Sequence, residues 1–192
     1  MLKSLLKSQK LILKIKKFKT KEMHDILIYG SIVRGKDRVN DIDVVIVFNK
    51  KKSVNEKLEL AEKLKSQLDF LDVNVDVKSV DISDFEDSSF IARQAILAEG
   101  YSLIDRKFLH EKFGFKAFVI FNYSLKNLNY SEKKMFYYAL KGRRDQKGLL
   151  ELKGAEMLSN CIIKVPLANS EEFRELFKRR NTEYKMEKII EY

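Results

Sequence analysis

Apolar positions along the chain switch between two rhythms, one at strand spacing and one at helical spacing. Leu2, Leu5, Leu6, Ile12 and Leu13 line one side of a lysine-rich N-terminal segment, which predicts a basic amphipathic helix packed on the domain behind it. Asp25–Tyr29 (DILIY) reads as a short buried strand ending at Gly30-Ser31, with Ser31 capping a helical turn from Ile32 to Gly35. After the polar connector 36–40 comes Asp41–Phe48 (DIDVVIVF). Its first half alternates acid and apolar and its second half is continuously apolar, as in a central strand whose start protrudes into a cleft. Leu58, Ala61, Leu64 and Leu68 set a helix over 54–68, and strict alternation sets a strand over 72–80. Ser88 or Ser89 is expected to cap a helix through Leu97 closed by Gly100, followed by a short strand over 101–104.

A boundary is expected in the stretch 106–114, where the charge balance changes. Beyond it the pattern predicts a strand over 117–123, a helix opened by Ser131 and running through Lys141, and a basic loop over 142–148 (GRRDQKG). A hairpin of 149–153 with 161–165 and a last helix from Ser170 through Arg180 complete the reading. The fold class is therefore α/β (α+β). A small mixed sheet with helices packed on one side spans 1–106, and a smaller basic α+β domain spans 107–192.

Composition narrows the class. Apolar residues make up 45% of 192, enough for an ordinary core, and a single proline excludes a collagenous or linker-rich chain. The lone Cys161 excludes a disulfide framework within one chain and fits a reducing, cytoplasmic setting. Apolar runs are strand-length, far short of the ~20 residues of a membrane span, so no membrane partner is expected. Charge adds more. The net is +10, but residues 1–24 carry eight basic and one acidic side chain, residues 25–106 carry twelve and sixteen, and residues 107–192 carry eighteen and eleven. An acidic centre between two basic arms points to a polyanion partner such as nucleic acid.

The candidate chemistry lies in the acidic centre. Asp41 and Asp43 share one face of a strand start, and Asp76 sits between valines on a later strand. Asp72 has the same parity as Asp76 and is its rival, but only Asp76 has a valine on each side. Carboxylates that converge repel one another unless a cation neutralises them, and oxygen-only ligands suit magnesium or manganese. A Gly30-Ser31 turn at a strand end can cradle phosphate, with Arg34, Lys36 and Arg38 following at alternate positions.

The stretch GSIVRGKDRVNDID, preceded by an apolar strand and followed by VVIVF and then VDV after a helix, resembles the polymerase-beta-type nucleotidyltransferase superfamily, above all its minimal nucleotidyltransferase branch. The likeness extends to the segment LAEGYSLID and covers residues 24–106. It implies a metal triad of Asp41, Asp43 and Asp76 for Mg2+ or Mn2+, triphosphate binding at Gly30 and Ser31, and Asp76 as the base toward an attacking hydroxyl. It implies transfer of a nucleotidyl group from a nucleoside triphosphate to an acceptor. The basic flanks point to RNA as that acceptor. The likeness also leaves open nucleotidylation of a partner protein, as in antitoxins of this branch, and a non-catalytic nucleic-acid-binding module. Arg143, Arg144 and Lys147 are the candidate RNA-backbone contacts, and Tyr137 or Tyr138 could stack a base, although core packing explains them too. His24 and His110 are expected to be incidental, the latter in a linker, and Cys161 a small buried hydrophobe.

Overall fold

The structure, a computed structural model, describes residues 5–6, 8–36 and 38–192; Leu2 lies outside the described residues. The chain forms two compact units, Met1–Phe115 and Lys116–Tyr192.

In the first unit, helix α1 (Gln9–Phe18) starts at Ser8, whose hydroxyl accepts the Leu11 N–H at 3.3 Å. The stripe it buries is Leu11, Ile15 and Phe18, at i, i+4 and i+7. Leu13 belongs to the opposite arc and is 58% exposed, so the expected apolar side is rotated. The helix does pack on its own domain: its buried stripe joins the core under the sheet. Strands β1 (Met23–Tyr29), β2 (Asp41–Phe48), β3 (Asn74–Asp81) and β4 (Tyr101–Ser102) form one sheet in the order β3-β2-β1-β4. β2 runs antiparallel to β1 and parallel to β3. With a neighbour on each side and cover on both faces, the second half of β2 is apolar throughout.

Helix α2 (Val54–Leu68) returns the chain from β2 to β3, as a parallel pair requires. Its Ser53–Glu56 capping box contributes about 1 kcal/mol. The larger core packs Ile26, Ile28, Val44, Ile46 and Phe48 against α1 and α2. The opposite face holds a smaller core of Leu27, Val45, Val47 and Val80 under α3 (Arg93–Glu99) and α4 (Leu109–Lys112).

Three boundaries differ from the sequence reading. β3 starts at Asn74 because Asp72 takes a left-handed turn (φ 53°) after the 3-10 segment Asp69–Leu71. Helix α3 starts at Arg93, not after Ser88 or Ser89: the Asp87 carboxylate accepts the Ser89 N–H at 2.8 Å and holds that stretch in a turn. The first unit also reaches past residue 106. Leu109 is core, His110 Nδ1 lies 3.0 Å from the Ala98 carbonyl, and Lys112 bonds buried Asp25 at 3.2 Å and Asp105 at 2.5 Å. His110 is thus a buried residue of the first unit rather than part of a linker, and burial lowers its pKa.

The second unit has four main strands, β5 (Lys116–Ser124), β8 (Glu156–Ser159), β9 (Ile162–Pro166) and β10 (Glu183–Glu191). Helix α5 (Tyr130–Lys141) follows β5 and helix α7 (Ser170–Arg179) follows β9. All pairings are antiparallel and the order is β10-β5-β9-β8, a βαββαβ unit of ferredoxin-like topology. Its core joins Phe121, Phe136, Ile163, Phe173 and Phe177. The expected loop over 142–148 is a tight hairpin of β6 (Gly142–Arg143) and β7 (Gln146–Lys147). At Gly142 (φ 90°) an added Cβ would strike the Gln146 carbonyl, so glycine closes the hairpin base. Residues 149–153 form helix α6 (Leu149–Lys153), and the hairpin partner of β9 is β8 instead. Burial pushes the Tyr123 phenol in this core up to about 12.

Candidate active site

Strand register builds the acidic site. Tyr29 on β1 faces Asp43 on β2, and Asp43 faces Asp76 on β3, so the three form one row across three strands. Asp41, two residues before Asp43, lies on the same side of the sheet. In the next row stand Leu27, Val45 and Lys78. The Lys78 ammonium lies 3.2 Å from Asp76 Oδ2. Asp72 lies before the strand and outside this row.

Burial raises the Asp43 pKa first, the neighbouring Asp41 raises it next, and Asp76 adds to this; Lys78 and Arg34 oppose. Burial likewise raises the Tyr29 phenol. Lys78 is held above its ordinary value by the Tyr29 oxygen first, with Asp76 reinforcing it.

Gly30 sits directly against Asp43. Its φ is +86°, and an added Cβ would overlap the Asp43 carboxylate oxygen, with Cγ only 3.4 Å away. The Gly30 N–H donates to Glu99 Oε2 at 3.0 Å, and Arg34 donates to the same oxygen at 2.8 Å. Glu99 is fully buried at the end of α3 and pins the Gly-Ser turn from behind. Two expectations change here. Ser31 to Gly35 is a turn rather than the start of a helix, held by Val33 N–H to the Gly30 carbonyl and Lys36 N–H to the Ser31 carbonyl, each at 3.2 Å. The Gly30 amide is also engaged by Glu99 rather than open toward a phosphate. Ser31 and Lys36 are half-buried on this turn, and Arg38 is exposed on the connector before Asp41.

The family model described as "Polymerase beta, Nucleotidyltransferase" matches residues 9–108, just over half of the chain. The chain belongs to the polymerase beta nucleotidyltransferase family. No curated protein matches it. Among solved structures, a toxin–antitoxin complex with AMP-PNP is 24% identical, covering 50% of this chain and 72% of that one, at a TM-score of 0.37. The tri-AMPylated HEPN toxin of Shewanella oneidensis in complex with the MNT antitoxin is 23% identical, covering 55% and 83%, at a TM-score of 0.34.

The matched region of this nucleotidyltransferase contains the whole acidic row and the Gly30 turn. The donor chemistry of Asp41, Asp43 and Asp76 suits a hard divalent cation, and the raised Asp43 pKa is what such a cation would reverse. Among the described residues no three acidic, histidine or cysteine side chains are gathered closely enough to hold a metal. Asp76 instead points to Lys78, which a cation bound at this row would have to displace.

Tyr29, Lys78 and Glu99 were not singled out from the sequence. Tyr29 and Lys78 could have been found by pairing the strands, and Glu99 by asking why an acid follows Leu97-Ala98 in a buried helix end. In the second unit, Arg143 stacks over Tyr138 and Arg144 occupies the hairpin tip in a left-handed turn. Lys147 is ion-paired with Glu151 at 2.5 Å. His24 lies exposed beside Asn49, and Cys161 is half-buried at the edge of the aromatic core. Phe113 is 65% exposed and lies outside the core. No helix among the described residues is long and apolar enough to cross a membrane.

Proposed function

We propose that this protein transfers a nucleotidyl group from a nucleoside triphosphate to an acceptor hydroxyl, with RNA as the acceptor and magnesium or manganese as cofactor. The observation that carries this reading is the row Asp43–Asp76, with Asp41 beside it and Gly30 against Asp43, inside the region matched by the family model. Asp41, Asp43 and Asp76 would hold the divalent cation, which when bound neutralises their charge and that of the triphosphate. Asp76 takes the proton from the attacking hydroxyl at a carboxylate oxygen, which requires Lys78 to release it. The acceptor oxygen bonds to the α-phosphorus, the bond to the bridging oxygen of the β-phosphate breaks, and pyrophosphate leaves. Ser31 and the cations Arg34, Lys36 and Arg38 on the following turn would bind the triphosphate. Glu99 keeps the turn in place and acts through Gly30 and Arg34.

RNA is favoured by the charge distribution: residues 107–192 carry seven more basic than acidic side chains. Incubation with an α-labelled nucleoside triphosphate, magnesium, cellular RNA and whole lysate tests this. A labelled RNA band is expected. A labelled protein band with unlabelled RNA would replace RNA by a partner protein, and no label with any acceptor would leave only a binding module.

A further inference from the structure

A ferredoxin-like unit offers two surfaces to a single strand, the open face of its sheet and the outer face of its helices. RNA-recognition modules of this topology use aromatic side chains on the sheet. Here the open face carries one aromatic ring on its central strand, Phe118, and Lys164 lies over that ring at 4.3 Å while ion-paired to Glu191. Lys116 and Lys185 add two positive charges to the same face, and Glu156, Glu183 and Glu187 add three negative ones. That face carries no excess of positive charge and offers a single ring on its central strand.

The outer face of α5 is different. Tyr130, Lys134, Tyr137, Tyr138 and Lys141 fall at i, i+4, i+7, i+8 and i+11 on one outward arc, while Phe136 and Leu140 face the core. Tyr130 is 82% exposed and Tyr137 48%. Each of the two later tyrosines has a cation on its ring. Lys141 lies 4.8 Å from the Tyr137 centroid, and Lys134 and Arg143 lie 5.9 Å and 5.2 Å from that of Tyr138. Arg143 is delivered by the glycine-closed hairpin that continues directly from the helix. Core packing explains neither the exposure nor the interleaving. Exposed rings flanked by cations match what a single-stranded polyanion with unstacked bases needs: planar surfaces for the bases and ammonium or guanidinium groups for the phosphates.

We infer that the α5 stripe, extended by Arg143, is a docking surface for single-stranded RNA. The inference rests on the RNA-acceptor reading and gives it a location. Lys147, held by Glu151, contributes little.

The test uses the full chain and a fluorescently labelled, unstructured RNA of about 12 nucleotides, followed by anisotropy across a salt series. Tyr137→Ala with Tyr138→Ala should weaken binding by at least about fivefold for each base unstacked, with the salt slope unchanged. Tyr137→Phe with Tyr138→Phe should bind as the parent does, because the ring is kept. Lys134→Ala, Lys141→Ala and Arg143→Ala together should reduce the log–log salt slope by about 2, at about 0.7 per phosphate contact. Phe118→Ser on the sheet should leave the affinity unchanged. All these side chains are partly or fully exposed, and circular dichroism verifies that each variant is folded. The proposal is overturned if the alanine pair binds like the parent, if Phe118→Ser carries the loss instead, or if the parent shows no salt-dependent RNA binding. Label transfer measured on the same preparations separates the two readings. Transfer to RNA with the alanine pair binding like the parent overturns this surface alone, whereas transfer to protein without RNA binding overturns both the surface and the RNA acceptor. RNA binding through the stripe with no transfer to any acceptor overturns the catalytic reading alone.

Discussion

Replacing Gly30 by alanine perturbs the site through one added carbon. Two costs follow from the geometry. The backbone at Gly30 has φ +86°, a region in which an L residue pays about 1–2 kcal/mol. The new Cβ also lands on the Asp43 carboxylate, which must leave its position. Forcing that side chain off its rotamer adds about 0.5–1.5 kcal/mol. The total is about 1.5–3.5 kcal/mol, and the two parts separate in a double-mutant cycle. With Asp43→Ala as background the carboxylate is absent, so Gly30→Ala should cost only the backbone share of about 1–2 kcal/mol. Urea unfolding followed by circular dichroism reads all four corners. In the Asp43 background the rate of nucleotidyl transfer should also fall by about a hundredfold, the usual effect of an ångström-scale misplacement. Equal unfolding costs in both backgrounds, or an undiminished rate in Gly30→Ala, would refute the contact between Gly30 and Asp43. Gly30→Val should be worse on both counts.

Asp43 has a folded pKa above its unfolded value, so its favourable contribution is present below about pH 3.9 and is lost as pH rises through the folded pKa. Asp43→Asn should therefore raise thermal stability at pH 7, give no gain near pH 3, and abolish transfer; a gain that grows on acidification contradicts this. Glu99→Ala leaves Gly30 N–H and Arg34 facing a void and should cost about 3–5 kcal/mol, whereas Glu99→Gln keeps an acceptor oxygen and should cost clearly less; equal losses would mean the carboxylate only fills space. Lys78→Met removes the cation that holds Asp76, so manganese should bind the nucleotide-free protein more tightly, as followed by calorimetry; unchanged or weaker manganese binding would show that Lys78 does not compete for Asp76.

Much of the first unit is legible in the chain because its strands are marked by strong local contrasts. DIDVVIVF has both its acidic start and its doubly buried end written into the alternation, and β2 has the limits read from it. The helix over 54–68 is bounded by a serine–glutamate capping box, again a local signal. What escaped depends on contacts distant in sequence. Glu99 meets Gly30 across 69 residues, and nothing near position 99 says that its carboxylate holds a turn near the start of the chain. The rotated face of α1 escaped because its five apolar residues outnumber the positions the sheet can cover, and only packing chooses Leu11, Ile15 and Phe18 among them. β10 left no signal because it is an edge strand with a charged outer side, EYKMEKIIE, which blurs the period of two. Of the acidic row, the shared face of Asp41 and Asp43 was readable, and so was the place of Asp76 within a strand. Lys78 as the present partner of Asp76 needed the parallel register of β2 and β3.

The central claim is that the acidic row carries out nucleotidyl transfer, and the position of the label decides it. The protein is incubated with magnesium, cellular RNA and ATP labelled either on the α- or on the γ-phosphate. The account predicts labelled RNA from α-labelled ATP, label only in released pyrophosphate from γ-labelled ATP, and neither with Asp43→Asn. Acceptor labelled from the γ-phosphate, or full α-labelling by Asp43→Asn, would contradict it.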